Sequence, residues 1–296
     1  MQASGVRAIE GFIAVPGARL YHRTVGSGTP LVVLHGGPDF NHHYLLPELD
    51  GLAGSSRLIY YDQRGRGKSS AGVAPEDVSI ESEVDDLDRL RQHFGLETLP
   101  LLGHSWGCLV AMEYAARHPE RVSHLVLMNP APASHQDLLR FREHREATEA
   151  DTLSRMRAIA QTPNYLAGDI SAEAEYYRLH YRRAVRQAEF IEPIVARLRV
   201  HFGPEDILKA RAIEVRLYEQ TWNRPDYDLP RRLGGFTGAM LVLYGESDFI
   251  PLVCATHIAA AVTDARLVVL GESGHFAYLE RPNEVRREIQ SFLSMR

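Results

Sequence analysis

A series of short, almost continuously apolar segments constrains the fold more than any other feature of the sequence. We predict that they form β-strands, and they are Leu31–Leu34, Arg57–Tyr61, Leu99–Gly103, His124–Met128, Met240–Tyr244 and Arg266–Leu270. Strands without a polar side are typical of parallel sheets, because helices cover both of their faces. The segments therefore predict a mainly parallel sheet that is buried on both sides.

Helical patterns alternate with these strands along the chain. They are found at Glu81–Phe94, Trp106–Arg117, Val253–Ala261 and Asn283–Met295. Two earlier segments, Gly11–Val15 and Arg19–Thr24, flank the turn Pro16-Gly17, which predicts an antiparallel hairpin at the edge of the sheet. The alternation of strands and helices predicts an α/β fold.

The alternation is interrupted between Met128 and Met240, where no segment has the pattern of a buried strand. Residues 134–235 include 33 charged residues among 102, and Arg and Glu recur there at helical spacing. The 17 basic and 16 acidic residues nearly balance, so we expect these charges to form solvated helix faces. We therefore predict an α/β core, residues 1–133 and 236–296, with an inserted helical cap (lid), residues 134–235.

Composition excludes several classes of protein. The net charge is −5, whereas a nucleic-acid-binding protein needs a basic surface. No apolar segment approaches the roughly 20 residues of a membrane span, and the first residues lack the apolar stretch of a secretory signal. The two cysteines, Cys108 and Cys254, are too few for a disulfide framework. We thus predict a cytoplasmic protein that binds neither nucleic acid nor membranes.

The pentapeptide GHSWG at residues 103–107 is the strongest candidate for a catalytic element. It follows the apolar run Leu99–Leu102 and precedes a predicted helix, which is the strand–turn–helix setting of a G-x-S-x-G nucleophile elbow. Small residues on either side let strand and helix pack closely, so that the Ser105 hydroxyl stands at the positive end of the helix. The pattern also occurs by chance in long sequences, but this setting argues against chance.

His275 and Asp248 are the candidate base and acid. His275 lies between the segment ARLVVL with its turn GESG and the last helix, although a lone histidine more often packs or caps a helix. Asp248 lies just after the strand MLVLY, and Glu246 two residues earlier is the competing acid. Such an acid orients the histidine and stabilises its charged form, but a loop aspartate can also simply cap its own turn.

Two backbone amides are candidates for an oxyanion hole, which needs N–H groups directed at the developing negative charge. One belongs to Trp106, the residue after the serine. The other belongs to Gly37 in the segment HGGP, which directly follows LVVL. Glycine allows the backbone to turn its amide inward. The alternative for this segment is an ordinary Gly-Pro turn.

The segments HGGPDFNHHYLL, YDQRGRGKSS and GHSWG, with the order Ser105, Asp248, His275, resemble the α/β-hydrolases. Among these, they are most similar to the proline iminopeptidase group of serine aminopeptidases, and the resemblance covers nearly the whole chain. It implies the α/β-hydrolase fold, and it favours Asp248 over Glu246 as the acid. Asp39 departs from the pattern of the group, which is HGGPG.

The resemblance also implies a site for the free amine of a peptide, which glutamates of the cap hold in that group. Glu219, 29 residues before Asp248, resembles one of these glutamates in position. It could equally lie on a solvated helix face, and Glu214 or Glu205 could take its place. In archaeal members a second glutamate directly follows the catalytic acid, where this chain has Phe249. An apolar side chain there suits an acyl group better than a cation.

We therefore predict a serine hydrolase that forms an acyl-enzyme. The first candidate is a proline-iminopeptidase-like aminopeptidase that releases N-terminal residues from short peptides. A carboxylesterase or a small-molecule amidase with the same triad is the alternative, followed by a non-catalytic ligand receptor of the same fold. We expect no cofactor and no metal, because neither a cofactor fingerprint nor a metal-ligand spacing is present. The oligomeric state stays open.

Overall fold

One sheet of eight strands organises residues 7–294, which are the residues that the computed structural model describes. The strands are β1 (Ile9–Val15), β2 (Ala18–Val25), β3 (Thr29–Leu34), β4 (Ser56–Tyr61), β5 (Leu99–His104), β6 (Val122–Met128), β7 (Ala239–Gly245) and β8 (Ala265–Leu270). Their order across the sheet is β1-β2-β4-β3-β5-β6-β7-β8. The first two pairs are antiparallel and all others are parallel, which confirms the predicted parallel sheet and edge hairpin.

Eleven α-helices lie within the described residues. They are α1 (Ile80–His93), α2 (Trp106–Arg117), α3 (His135–Ala160), α4 (Pro163–Leu166), α5 (Ile170–His180), α6 (Ile191–Leu198), α7 (Pro204–Gln220), α8 (Leu229–Arg232), α9 (Leu252–Ala260), α10 (Ala277–Glu280) and α11 (Pro282–Leu293). Short 3₁₀ helices occupy His42–Leu45, Glu48–Leu52, Gly67–Ser69, Pro75–Asp77, Pro119–Arg121, Ala188–Phe190 and Leu233–Gly235. The four predicted helices are confirmed within one or two residues, except that Met295, the predicted end of the last helix, lies outside the described residues.

Alternating side chains of the central strands pack into two apolar layers, one on each face of the sheet. Val32 and Leu34 of β3 belong to the layer that includes α1 and α2. Leu31 and Val33 of the same strand belong to the layer that includes α11. All four side chains are fully buried, which explains why the strand has no polar side.

The chain between β6 and β7 forms the helices α3 to α8, and no strand is present among these residues. The expectation that their charges form solvated faces is wrong for five residues, which are buried: Asp137, Arg145, Glu149, Glu173 and Arg199. They are buried because they are paired. Arg145, for example, lies 3.2 Å from Glu149, one helical turn away. A buried charge is tolerated when a partner of opposite charge replaces its hydration.

Both cysteines are free and buried in the described chain. Within residues 7–294 no three His, Cys, Asp or Glu side chains are grouped in a way that could hold a metal ion. None of the described helices combines the length and the apolar character that crossing a membrane requires. A cytoplasmic location remains a prediction.

Candidate active site

The predicted elbow lies between β5, which ends at His104, and α2, which begins at Trp106. Ser105 connects them with φ 53° and ψ −117°, a conformation that residues other than glycine rarely adopt. The turn needs a glycine at position 107, since a Cβ there would lie 2.3 Å from the carbonyl oxygen of Leu34. The half-buried Ser105 side chain is thus held on a strained turn at the start of a helix.

His275 and Asp248 form a hydrogen-bonded pair. The Nδ1 atom of His275 lies 3.0 Å from Oδ2 and 3.1 Å from Oδ1 of Asp248. Two further groups donate to this carboxylate, the Asn129 side-chain amide at 2.8 Å and the Ile250 backbone amide at 3.0 Å. These donors fix the carboxylate so that it faces the imidazole. Sequence analysis missed Asn129, although its position directly after β6 is a signal that could have indicated it.

Glu246, the competing acid, is directed elsewhere. Its side chain is exposed, and Oε2 accepts a hydrogen bond from the backbone amide of Glu272 at 3.2 Å. The structure therefore brings Asp248, and not Glu246, to His275.

The segment HGGP lies directly against the elbow. A Cβ on Gly36 would come within 3.0 Å of the Ser105 Cβ, and the Gly36 amide donates to the Tyr44 hydroxyl at 2.7 Å. Gly37 has φ 122°, where glycine is favoured, and its amide donates to no acceptor within residues 7–294. The Trp106 amide is in the first turn of α2, where helical N–H groups lack an intrahelical acceptor. Both predicted oxyanion donors therefore remain available.

The segment after β4 is hydrogen-bonded to the HGGP loop. Gln63 donates its backbone amide to Nε2 of His35 at 3.1 Å and its side-chain amide to the His35 carbonyl at 2.8 Å. Arg66 donates to the Gln63 side chain at 2.6 Å and forms an ion pair with Glu83 at 2.6 Å. Burial lowers the pKa of His35 to about 3, so this ring is neutral and can accept the Gln63 amide.

A group of buried and half-buried charges connects the helices between β6 and β7 with the residue that follows HGGP. Its members are Asp39, Glu173, Arg199, Arg211 and Glu214, and we call them the cap charge cluster. Arg199 donates to the Asp39 carboxylate and, at 3.1 Å, to Oε2 of Glu173. Arg211 donates to the other oxygen of Glu173. The sequence did not indicate that these residues form a cluster. Two of them had been singled out separately, Asp39 because it departs from the pattern of the proline iminopeptidase group, and Glu214 as an alternative to Glu219.

Glu214 is the member of the cluster that forms no ion pair within residues 7–294. Its Oε1 accepts the hydroxyl proton of Tyr218 at 2.6 Å. Desolvation inside the cap, together with the nearby Asp39 carboxylate, raises the pKa of Glu214 to about 8. The Tyr218 ring packs against the Trp106 indole, with 6.0 Å between the ring centres. The Glu214 carboxylate is therefore separated from the elbow by one side chain.

Glu219, the glutamate that sequence analysis proposed for amine binding, is not brought into the site. Its side chain is exposed, and it forms no hydrogen bond or ion pair in the part of the chain that the structure describes. It follows Glu214 by five positions, which places it on another side of α7 because a helix has 3.6 residues per turn. Spacing along the sequence therefore did not distinguish the outward glutamate from the inward one.

Phe249 lies beside the candidate base. It is buried, and its ring meets the His275 imidazole at right angles, with 5.0 Å between the ring centres. Phe141 and Tyr181 pack against the same ring at 5.3 and 6.0 Å. Phe249 thus contributes an aromatic wall at the position that follows the acid. Whether this wall contacts an acyl group remains a prediction.

Comparisons with known proteins agree with this architecture. The model of the alpha/beta hydrolase fold family matches residues 29–282. A proline iminopeptidase of Heyndrickxia coagulans is 27% identical over 298 residues, which cover 96% of this chain and 98% of the relative. One from Saccharolobus solfataricus is 26% identical, covering 99% of this chain and 94% of the relative. The crystal structure of a proline iminopeptidase from Mycobacterium smegmatis has the same fold, with a TM-score of 0.73 and 24% identity over 96% of this chain and 97% of that one.

Proposed function

We propose that this chain, which belongs to the α/β hydrolase fold family, is a serine hydrolase that cleaves N-terminal residues from short peptides. Ser105 is the nucleophile, His275 the general base and Asp248 the acid that orients His275. The hydrogen bond between His275 and Asp248 supports these roles, as does the strained backbone of Ser105.

The proposed reaction has two steps. His275 takes the proton of Ser105 as the hydroxyl oxygen attacks the carbonyl carbon, and the amides of Gly37 and Trp106 stabilise the resulting oxyanion. The imidazolium then gives this proton to the leaving amine, which leaves an acyl-enzyme. Water, activated by the same histidine, attacks the acyl-enzyme and releases the N-terminal residue.

One observation carries the preference for a substrate with a free amine, namely that one carboxyl group of the cap charge cluster, that of Glu214, has no guanidinium partner within residues 7–294. The cluster contains three carboxylates, Asp39, Glu173 and Glu214, but only two guanidinium groups. An ammonium group bound beside Glu214 would balance the charge and replace the proton that this carboxylate otherwise holds. The names of the two relatives support the same substrate class. Glu214 thus takes the role that the resemblance suggested for Glu219.

A carboxylesterase is the second candidate, because Phe249 favours it. An aromatic side chain next to the imidazole of His275 offers an apolar surface to an acyl chain, whereas a cation needs polar or charged partners. The two candidates share the same nucleophile and differ only in what the acyl group carries.

A comparison of substrates tests the proposal. Purified protein is assayed with prolyl- and alanyl-p-nitroanilide and with a p-nitrophenyl ester of a simple acid, beside Ser105→Ala as the matched control. We expect cleavage of the aminoacyl anilides and a loss of roughly 10⁴-fold or more in Ser105→Ala. A variant that keeps a tenth of the activity would refute the serine mechanism. Faster wild-type cleavage of the simple ester, with little or no anilide cleavage, would favour the esterase.

A further inference from the structure

A directed chain of buried hydrogen bonds connects three parts of the candidate site. The backbone amide of Gly36 donates to the Tyr44 hydroxyl at 2.7 Å. This hydroxyl lies 2.7 Å from Nδ1 of His104, the residue that precedes the nucleophile. The other ring nitrogen of His104, Nε2, lies 2.9 Å from the backbone carbonyl oxygen of His275. All four residues are buried.

Only one arrangement of protons satisfies every member of this chain. A carbonyl oxygen can only accept, so Nε2 of His104 carries the proton that it shares with His275. Burial lowers the pKa of His104 well below its usual range, so the ring is neutral and Nδ1 must accept. Tyr44 therefore donates to Nδ1, and its oxygen is free to accept the Gly36 amide.

The chain has a consequence for the HGGP loop. Since the Gly36 amide is bound to Tyr44, its peptide plane is fixed, and the next amide along the loop belongs to Gly37. At its other end, the chain holds the backbone of His275, so that the loop of the base and the loop of the oxyanion donor are positioned through one histidine.

We propose that Tyr44 is a positioning residue, which aligns the Gly37 amide and the His275 loop with Ser105 through Gly36 and His104. This proposal rests on the proposed hydrolase activity. Tyr44 itself touches no reacting atom. Its effect belongs to the transition state, where misaligned donors raise the barrier, and not to the binding of the substrate.

The protein offers a matched control, Tyr278. Its hydroxyl is also buried and donates to a backbone carbonyl, that of Tyr44, at 2.7 Å. Its ring also packs against His104, with 5.4 Å between the ring centres. Tyr278→Phe therefore removes the same chemical group from the same neighbourhood without cutting the hydrogen-bond chain.

The experiment compares Tyr44→Phe with Tyr278→Phe in steady-state kinetics and in the rate of labelling by a fluorophosphonate, which reacts with activated serines. For Tyr44→Phe we expect kcat to fall about 10- to 100-fold with KM changed by less than about twofold, and the labelling rate to fall in parallel. For Tyr278→Phe we expect kcat to fall less than about threefold. Thermal unfolding of both variants shows whether each is folded.

Equal kcat values for the two variants, or a change in KM alone, would overturn the proposal. If Tyr44→Phe does not fold, His104→Leu tests the same hydrogen-bond chain, because leucine can neither accept from Tyr44 nor donate to His275. An unchanged kcat in that variant would overturn the proposal equally. Where Tyr44→Phe and the His104 variant both fold, the double variant should be little less active than the less active of the two single variants. Each substitution already interrupts the same hydrogen-bond chain, so the second adds little. If the activity losses of the two single variants multiplied in the double variant, the two residues would act independently, which contradicts a single hydrogen-bond chain. An active Ser105→Ala would instead refute the proposed function, so the two failures are distinguishable.

Discussion

Two regions of the molecule contribute to the candidate site, and the chain builds them in different ways. At the sheet edge, Ser105, Asp248 and His275 each lie within five residues of the end of a parallel strand. The carboxyl ends of parallel strands meet at one edge, so residues far apart in sequence come together there. No such rule applies to the cap charge cluster. Its members come from α5, from α7, from the position after α6 and from the position after HGGP.

Under the proposed function, the two regions have different roles. The sheet edge would hold the groups that the reaction needs whatever the substrate, and their positions follow from the backbone. The cap charge cluster would hold the groups that select a substrate, and their positions follow from side-chain packing between helices. Changes at the sheet edge should therefore stop the chemistry, whereas changes in the cluster should alter stability and preference between substrates.

The largest effect is expected at the sheet edge. Asp248→Asn should leave the protein folded and lower turnover by roughly 10⁴-fold, because His275 would be held in the wrong tautomer. Glu246→Gln is the matched control, and its turnover should stay close to that of the wild type, since Glu246 is exposed. Steady-state rates on one good substrate check both. A reversal of the two effects would show that the acid is Glu246.

In the cap, the largest effect should be on stability. Arg199→Met would leave the Asp39 carboxylate, and one oxygen of Glu173, buried without a guanidinium partner. Breaking a buried pair in this way costs about 3–5 kcal/mol, which urea unfolding measures as a lower free energy of unfolding. The control is Arg178→Met, which removes an exposed pair with Glu192 in the same cap and should barely change the stability. Equal losses in both variants would contradict the buried role of Arg199.

The sequence was sufficient to locate the candidate residues at the sheet edge, because local rules determine the geometry of that edge. The elbow could be located from GHSWG and its flanking strand and helix. Gly37 was chosen because glycine allows the backbone to turn, and its φ is 122°. No local rule separates Glu214 from Glu219, because both are glutamates of one helix and only the packing of α7 decides which one is enclosed. The same limit explains the wrong expectation for Glu173 and Arg199, whose buried pairing depends on contacts distant in sequence.

Glu214 and Glu219 therefore offer the sharpest test of what the cap recognises. If Glu214 binds a substrate ammonium, Glu214→Gln should lower kcat/KM for alanyl-p-nitroanilide by about 10- to 150-fold, the range for a charged hydrogen bond of about 1.5–3 kcal/mol. The same variant should hydrolyse a simple acyl ester almost normally. Glu219→Gln is the matched control on the same helix. A loss of kcat/KM in Glu219→Gln alone would show that Glu219 binds the ammonium, as the resemblance suggested.

The smallest effect is a pH dependence that separates amine recognition from the chemistry. Productive binding requires an ionised Glu214 together with a protonated substrate amine. Glu214 has a pKa of about 8, and for a substrate amine of pKa roughly 8 the fraction of pairs in that state rises about threefold from pH 7 to pH 8, then falls toward pH 9. Any pH dependence of the chemical step is common to both substrate types, so it cancels when kcat/KM for the aminoacyl anilide is divided by that for the simple ester. This ratio should therefore rise from pH 7 to pH 8 in the wild-type protein.

In Glu214→Gln the ratio should not rise, because only the substrate amine still titrates. A rise that persists in Glu214→Gln would mean that another group binds the amine, and a flat ratio in the wild type would mean that the cap charge cluster does not recognise it.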